Sequence, residues 1–298
     1  MVVRYLKHAE IDFKKWDATI LSSEFPFVFA QSFYLNATCP NWDALMINDY
    51  ESVFPITKKE KFGFKYLPQP PFTSQLGAYG KINLEIEQLY YDYILSHFKL
   101  IDLELNVSNK IQTNFITPIN TYTINYAEGY KLNQNSKRNA SKAVELGFKV
   151  ELVINENLFS LSQKLINPFL IKEINLSRST VALLDQLILN GMAQKMLYTF
   201  MVVDEKQSIK ALAHFLCNSK HALYLKGTNF DKSDHTGSMH LLMKHIISFF
   251  ENKADFFDFG GGSQPGLANF YKGFGAKPMK YGFLQVNNLP LLIKKIKK

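Results

Sequence analysis

The chain is 298 residues long, 47% hydrophobic and 20% charged, which excludes a disordered polymer and fits one large domain or two of ordinary size. It carries 34 Lys+Arg against 26 Asp+Glu, a formal net charge of +8, so nucleotides, phosphates, acidic membranes and nucleic acid are the partners its field favours. Cys39 and Cys217 stand far apart in no C-x-x-C arrangement, which argues against a disulfide framework or a cysteine zinc site.

The opening "MVVRYLKHAEIDFKKW" lacks the apolar core of a signal peptide, and no later apolar run approaches about 18 residues. A cytoplasmic location with no stable membrane insertion is the expectation. Residues 42–47 and 53–57 read as strands joined by a turn at Asn48-Asp49, a hairpin. The "LPQPP" stretch that follows argues against both helix and central strand. Residues 84–99 have apolar Ile86, Leu89, Tyr90, Tyr93 and Ile94 at helical spacing, and "LIDLELN" and "TYTINY" return to strand character.

In "LNQNSKRNASKAVELGFKVELVI", Asn133 and Asn135 are candidate N-caps, Ala140, Ala143 and Val144 form an apolar stripe, and Gly147 suits the helix stop. A boundary near residue 130 gives two halves, 1–129 and 130–298. The second half then reads helix, strand, two helices (157–172 and 178–195), three strands, helix, strand, helix, strand. That order has no run of βαβ units, so an α+β fold with mixed sheets is expected rather than a doubly wound parallel sheet. The closing "LLIKKIKK" reads as a short basic, solvated tail.

Three stretches in this half resemble the GNAT superfamily, in its Fem-type branch of two tandem GNAT-like domains. "NSKRNASKAVELGFKV" resembles the basic helix opening the second Fem-type domain, and "DFFDFGGG" the strand ending in Asp-Phe-Gly. "GLANFYKGFGA" resembles the Phe-Lys-x-x-Phe-Gly signature, with Tyr271 at the aromatic position, then Lys272, Phe274 and Gly275. The resemblance covers residues 130–287 well and the first half weakly. It implies an interdomain cleft and N-acyl transfer to a small-molecule or peptide amine, with acyl-CoA or aminoacyl-tRNA as donor. For the Fem-type branch the implied acceptor is a peptidoglycan precursor of the cell wall.

The same resemblance assigns candidate roles. In GNAT enzymes the donor thioester lies between two splayed parallel strands, and its pyrophosphate rests at the start of the next helix, the general anion logic of a helix N-terminus. Here that place is "DKSDHTGSMHLL", so Thr236, Gly237 and Ser238 are the candidate donor-binding residues. The family's usual glycine run is reduced to one, and Asp231 and Asp234 oppose an anion. Tyr271 falls where many GNAT enzymes keep the tyrosine that protonates the leaving group, against the alternative of aromatic packing with Phe270 and Phe274. Lys272 matches the Fem-type lysine and would meet a phosphate or carboxylate as a point charge.

Other candidates rest on residue chemistry. Lys137, Arg138 and Lys142 give the helix after the boundary a basic face, and Arg138 can grip a phosphate with two bonds. Asp258 ends a strand and would orient or deprotonate an amine, or cap the next turn. His235, His240 and His245 are spaced at five, poor for two metal ligands on a helix, and His214 reads as a satisfied histidine in a β segment; no metal site is expected. Gly-x-Ser-x-Gly and Walker-type motifs are absent, so hydrolase and NTPase readings lack support. The reading is an N-acyltransferase, with a GNAT-fold binding protein that has lost its chemistry as the alternative. The oligomeric state leaves no mark in the sequence.

Overall fold

In the computed structural model, residues 2–61, 63–153, 157–230, 236–262 and 264–290 are described. The tail "LLIKKIKK", Asp231, Asp234 and His235 lie outside them. The chain divides into two compact units, one comprising residues up to Ile119 with the segment from Lys280, the other Asn120–Met279. The divide thus falls before the expected residue 130, and the last strand groups with the first half. The sequence hides this because "MKYGFLQV" has strand character wherever it pairs.

The first unit opens with β1 (Val3–Leu6), α1 (Phe13–Leu21) and α2 (Ser32–Thr38). Strands β2 (Asp43–Ile47) and β3 (Ser52–Ile56) form the hairpin, with Asn48 at φ 53° in its turn. Next come β4 (Lys59–Lys61), β5 (Phe64–Pro68), β6 (Tyr79–Gly80), α3 (Leu84–His97) and β7 (Leu100–Glu104). β5 corrects the reading of "LPQPP": Leu67 and Pro68 lie in a strand that pairs with β7 in parallel, and the imide nitrogen falls at its end. α3 starts at Asn83, whose side chain accepts from the Ile86 N–H, a cap worth about 1 kcal/mol. Its apolar face packs Tyr90 and Ile94 on Phe54, Ile101 and Leu103, with Leu284 and Val286 completing the core.

β8 (Ile116–Asn125) leads into the second unit. There follow α4 (Gln134–Glu145), β9 (Lys149–Leu152), α5 (Asn157–Leu161), α6 (Asn167–Lys172), α7 (Arg178–Ala193), β10 (Leu197–Val203), β11 (Ile209–Cys217), β12 (His221–Asn229), α8 (Ser238–Phe250), β13 (Phe256–Asp258), α9 (Pro265–Lys272) and β14 (Lys277–Asn287). Asn133, not Asn135, caps α4, accepting from the Ser136 N–H at 2.8 Å. The buried stripe of α4 is Ser136, Ala140 and Ala143; Val144 is 57% exposed, because a period of 3.6 carries it off that face. Between α5 and α6 the helix widens to a π turn over Ser162–Ile166. Pro168 explains it: a proline two residues beyond the turn has no N–H to return to residue 164.

The strand order of this unit is β8-β13-β12-β11-β10-β9. All neighbours are antiparallel except β12 and β13, so the sheet is mixed. One face packs Phe200, Phe215 and Phe257 against Ile246, Ile247 and Phe250 of α8. The other meets α7, where a β-carbon on Gly191 would stand 2.7 Å from Leu216. Among the described residues no helix is long and apolar enough to cross a membrane, and no cluster of three metal-binding side chains occurs.

Candidate functional site

β12 and β13 run in parallel only from His221↔Phe256 to Leu223↔Asp258. Beyond that step β12 continues to Asn229, whereas the chain after Asp258 stays with β8 (Phe259 N–H to Tyr122 O, 3.0 Å) and then turns through Gly260–Gly262. The two parallel strands therefore part at Asp258. All three glycines have positive φ, and two of them have no space for a side chain: a β-carbon on Gly260 would stand 2.9 Å from the Tyr224 carbonyl, and one on Gly262 2.3 Å from the Tyr122 ring. The run is a tight exit from the strand, with Gly262 set against an aromatic ring.

Asp258 holds that exit. Its side chain is wholly buried, and Oδ1 accepts from Thr121 Oγ1 at 2.9 Å and from the Gly260 N–H at 2.8 Å. His221 Nε2, also buried, lies 3.3 Å from Oδ2. Thr121 Oγ1 in turn accepts from the Gly261 N–H at 3.2 Å. The alternation of "TYTI" puts Thr121 on the face of β8 that carries Asp258, while Tyr122 and Ile124 join the core on the other face. Neither Thr121 nor His221 was legible as a site residue, since only the pairing of β8, β13 and β12 brings them to Asp258.

Tyr271 and Lys272 sit in the last turn of α9. Tyr271 is 5% exposed and stacks on Phe259, with centroids 4.4 Å apart and planes 28° from parallel. Burial, reinforced by the Asp258 charge, pushes its phenol up to about 12, so it holds its proton firmly. Lys272 is exposed, and its Nζ lies 5.6 Å from the Tyr122 centroid, cation–π geometry. Tyr271, Lys272 and Asp258 thus come together around Tyr122, Phe259 and the glycine turn.

The other candidates gather at the start of α8. Gly237 precedes that helix with φ 77°, and its carbonyl accepts from the Leu241 N–H. A β-carbon there would meet the Asn139 carbonyl of α4 at 2.1 Å, so α4 lies directly against this helix start. Ser238 is buried and donates to Asn229 Oδ1 at 3.1 Å, and Thr236 Oγ1 is buried with no hydrogen-bond partner among the described residues. Lys137, Arg138 and Lys142 are exposed on α4, Arg138 donating to Asn135 Oδ1 at 3.3 Å. α4 also meets α9: Asn133 N–H donates to Gly273 O, and a β-carbon on Gly273 would stand 2.6 Å from Ser136 Oγ.

His214 departs from the satisfied histidine expected. It is wholly buried with Nδ1 2.7 Å from Thr199 Oγ1, but Nε2 has no hydrogen-bond partner among the described residues, and burial depresses its pKa to about 3.

No family model matches the sequence, and no curated protein matches it. The fold is nevertheless shared with solved structures. FemX superposes with a TM-score of 0.65 at 11% identity, covering 100% of each chain. The C-terminal domain of a protein described as a lysylphosphatidylglycerol synthetase from Agrobacterium fabrum gives 0.57 at 9% identity, over 91% of each chain. L-PGS from Bacillus licheniformis gives 0.55 at 9% identity, covering 88% of this chain and 90% of that one. The chain therefore has an α+β, two-domain GNAT-like fold with Fem-type similarity along its whole length.

Proposed function

We propose that the protein is an N-acyltransferase that moves an aminoacyl group to an amine acceptor, with aminoacyl-tRNA rather than acyl-CoA as donor. The observation that carries this reading is the pairing of two features in one unit. The parallel strands part at Asp258 beside Tyr271 and Lys272, where the acyl group would lie; the α8 start, where a coenzyme A pyrophosphate would lie in a GNAT enzyme, is covered by α4 at Asn139. One similar structure is named for lysylphosphatidylglycerol synthesis, a name that denotes an aminoacyl ester, which favours an aminoacyl donor. The acceptor amine attacks the ester carbon, a C–N bond forms as the C–O bond breaks, and Tyr271 delivers its proton to the departing ribose oxygen. The amine's proton leaves to solvent, and solvent returns a proton to the Tyr271 phenolate. Lys272 and the basic face of α4 (Lys137, Arg138) hold phosphates of the donor. A cell-wall peptide precursor is the acceptor class the Fem-type similarity supports.

A second reading, a binding protein that keeps the fold without turnover, has one observation in its favour. Asp258 is fully engaged by Thr121, Gly260 and His221, so it is not placed as a free base. Incubation with radiolabelled aminoacyl-tRNA and with acyl-CoA, each alongside amine-bearing peptidoglycan precursors, separates the readings. Transfer from aminoacyl-tRNA alone is expected; transfer from acyl-CoA alone sinks the donor assignment, and transfer from neither supports the binding protein.

A further inference from the structure

The sheet face opposite α8 carries a row of polar side chains in the second unit. Alternation places His221 and Leu223 of β12 on the same face as Asp258, and Thr199 with its bonded partner His214 on the α7 face of β10 and β11. Between them stands Lys226. The ladder of β11 and β12 pairs Phe215 with Tyr224 and then, after a bulge, His214 with Lys226. Phe215 and Tyr224 pack together, Phe215 also meeting Phe250 of α8 and Phe257 of β13. The bulge therefore returns Lys226 to the face of His214, past the point where β13 has left β12.

Lys226 is half-buried there, and a lysine withdrawn in part from water is costly without a partner. Among the described residues no carboxylate pairs with Lys226. Asp258, on the same face, is engaged by Thr121, Gly260 and His221. The residue directly across the ladder is the wholly buried His214. Desolvation holds the ammonium below its ordinary pKa, with no attraction from a described residue offsetting it. An exposed lysine would avoid the penalty, and a structural one would be paired. We propose that Lys226 receives an oxyanion, a carboxylate or phosphate carried by the substrate, at the open flank of β12 beyond Leu223. The anion supplies the counter-charge that no described residue gives, and the bulge is the device that presents the ammonium to it.

The assignment goes beyond the transferase reading and is measured without turnover, so the two fail separately. Lysines of the intact protein are reductively 13C-methylated, and the Lys226 resonance is identified by its loss in Lys226→Met, or in Lys226→Arg should the first variant fold poorly. Sodium phosphate and sodium acetate are then titrated at constant ionic strength. The Lys226 resonance is expected to shift saturably with at least one anion, at concentrations about tenfold below those that move exposed lysines. A response to acetate alone assigns a carboxylate, and a response to phosphate alone assigns a phosphate. The same response in Lys272→Ala places the binding at Lys226. A resonance that follows neither anion, or moves only in step with the exposed lysines, overturns the assignment.

Discussion

Thr121 Oγ1 donates to Asp258 Oδ1 at 2.9 Å, across 137 positions of sequence, and the same oxygen accepts from the Gly261 N–H. One hydroxyl thus ties β8 to the end of β13 and to the turn that follows. Thr121→Val keeps the shape and deletes both bonds. It should cost about 1–3 kcal/mol in denaturant unfolding. Asp258→Asn, which also discharges the contact with His221, should cost at least as much without any substrate present. A variant with lost turnover and unchanged stability would instead make Asp258 a chemical participant.

Gly237→Ala meets two obstacles, a left-handed backbone and the Asn139 carbonyl. A loss of about 3 kcal/mol is expected from thermal or urea melts, since neither backbone can yield cheaply. A near-neutral result would mean that α4 moves away from α8 readily.

Tyr271→Phe retains the stack on Phe259 and removes the proton. Turnover with an aminoacyl donor should fall by about 100-fold while KM for the donor stays within about twofold. A titration supplies an independent check. The folded phenol near 12 lies above the unfolded value near 10, so the folded state binds the proton more tightly. The associated stability is present below pH 10 and is lost as pH rises towards 12; the Phe variant should lack that component of the alkaline loss.

His214 has the opposite sign. Its folded pKa near 3 lies below the ordinary 6.5, so the unfolded chain takes up a proton that the folded one refuses. Stability from this group is present above pH 6.5 and drains as pH falls towards 3. In His214→Gln the acid slope of unfolding free energy should be shallower between those values, and an identical slope would mean that His214 protonates in place.

Lys272→Ala and Arg138→Ala should each raise KM for an anionic donor several-fold and leave the melting temperature within about one degree, because both side chains are exposed. A fall in melting temperature with unchanged KM would assign them to packing.

The sequence made some of this readable and concealed the rest for physical reasons. Asn133 and Gly147 mark the ends of α4 because caps and left-handed stops are local requirements. "FYKGFGA" placed Tyr271 and Lys272 on one short helix because neighbours on a helix share a turn. Thr121 and His221 carried no such mark, since their partner Asp258 is brought to them only by strand pairing. The closeness of α4 to α8 was equally hidden: a lone glycine at 237 reads as a depleted phosphate loop until Asn139 is seen against it. Lys226 carries no mark in the sequence either, because one bulge decides which face it occupies.

The two pieces of the first unit are separated along the chain by all of the second. β14 aligns Phe283 with Glu104 and Asn287 with Leu100, and it delivers Leu284 and Val286 to the first unit's core. A ribosome therefore finishes the second unit before the first has its closing strand. Residues 2–119 must wait with one edge of β7 unsatisfied, the state most exposed to chaperones and to misassembly. A released chain truncated after residue 279 should accordingly present a protease-resistant later half joined to a protease-sensitive earlier one.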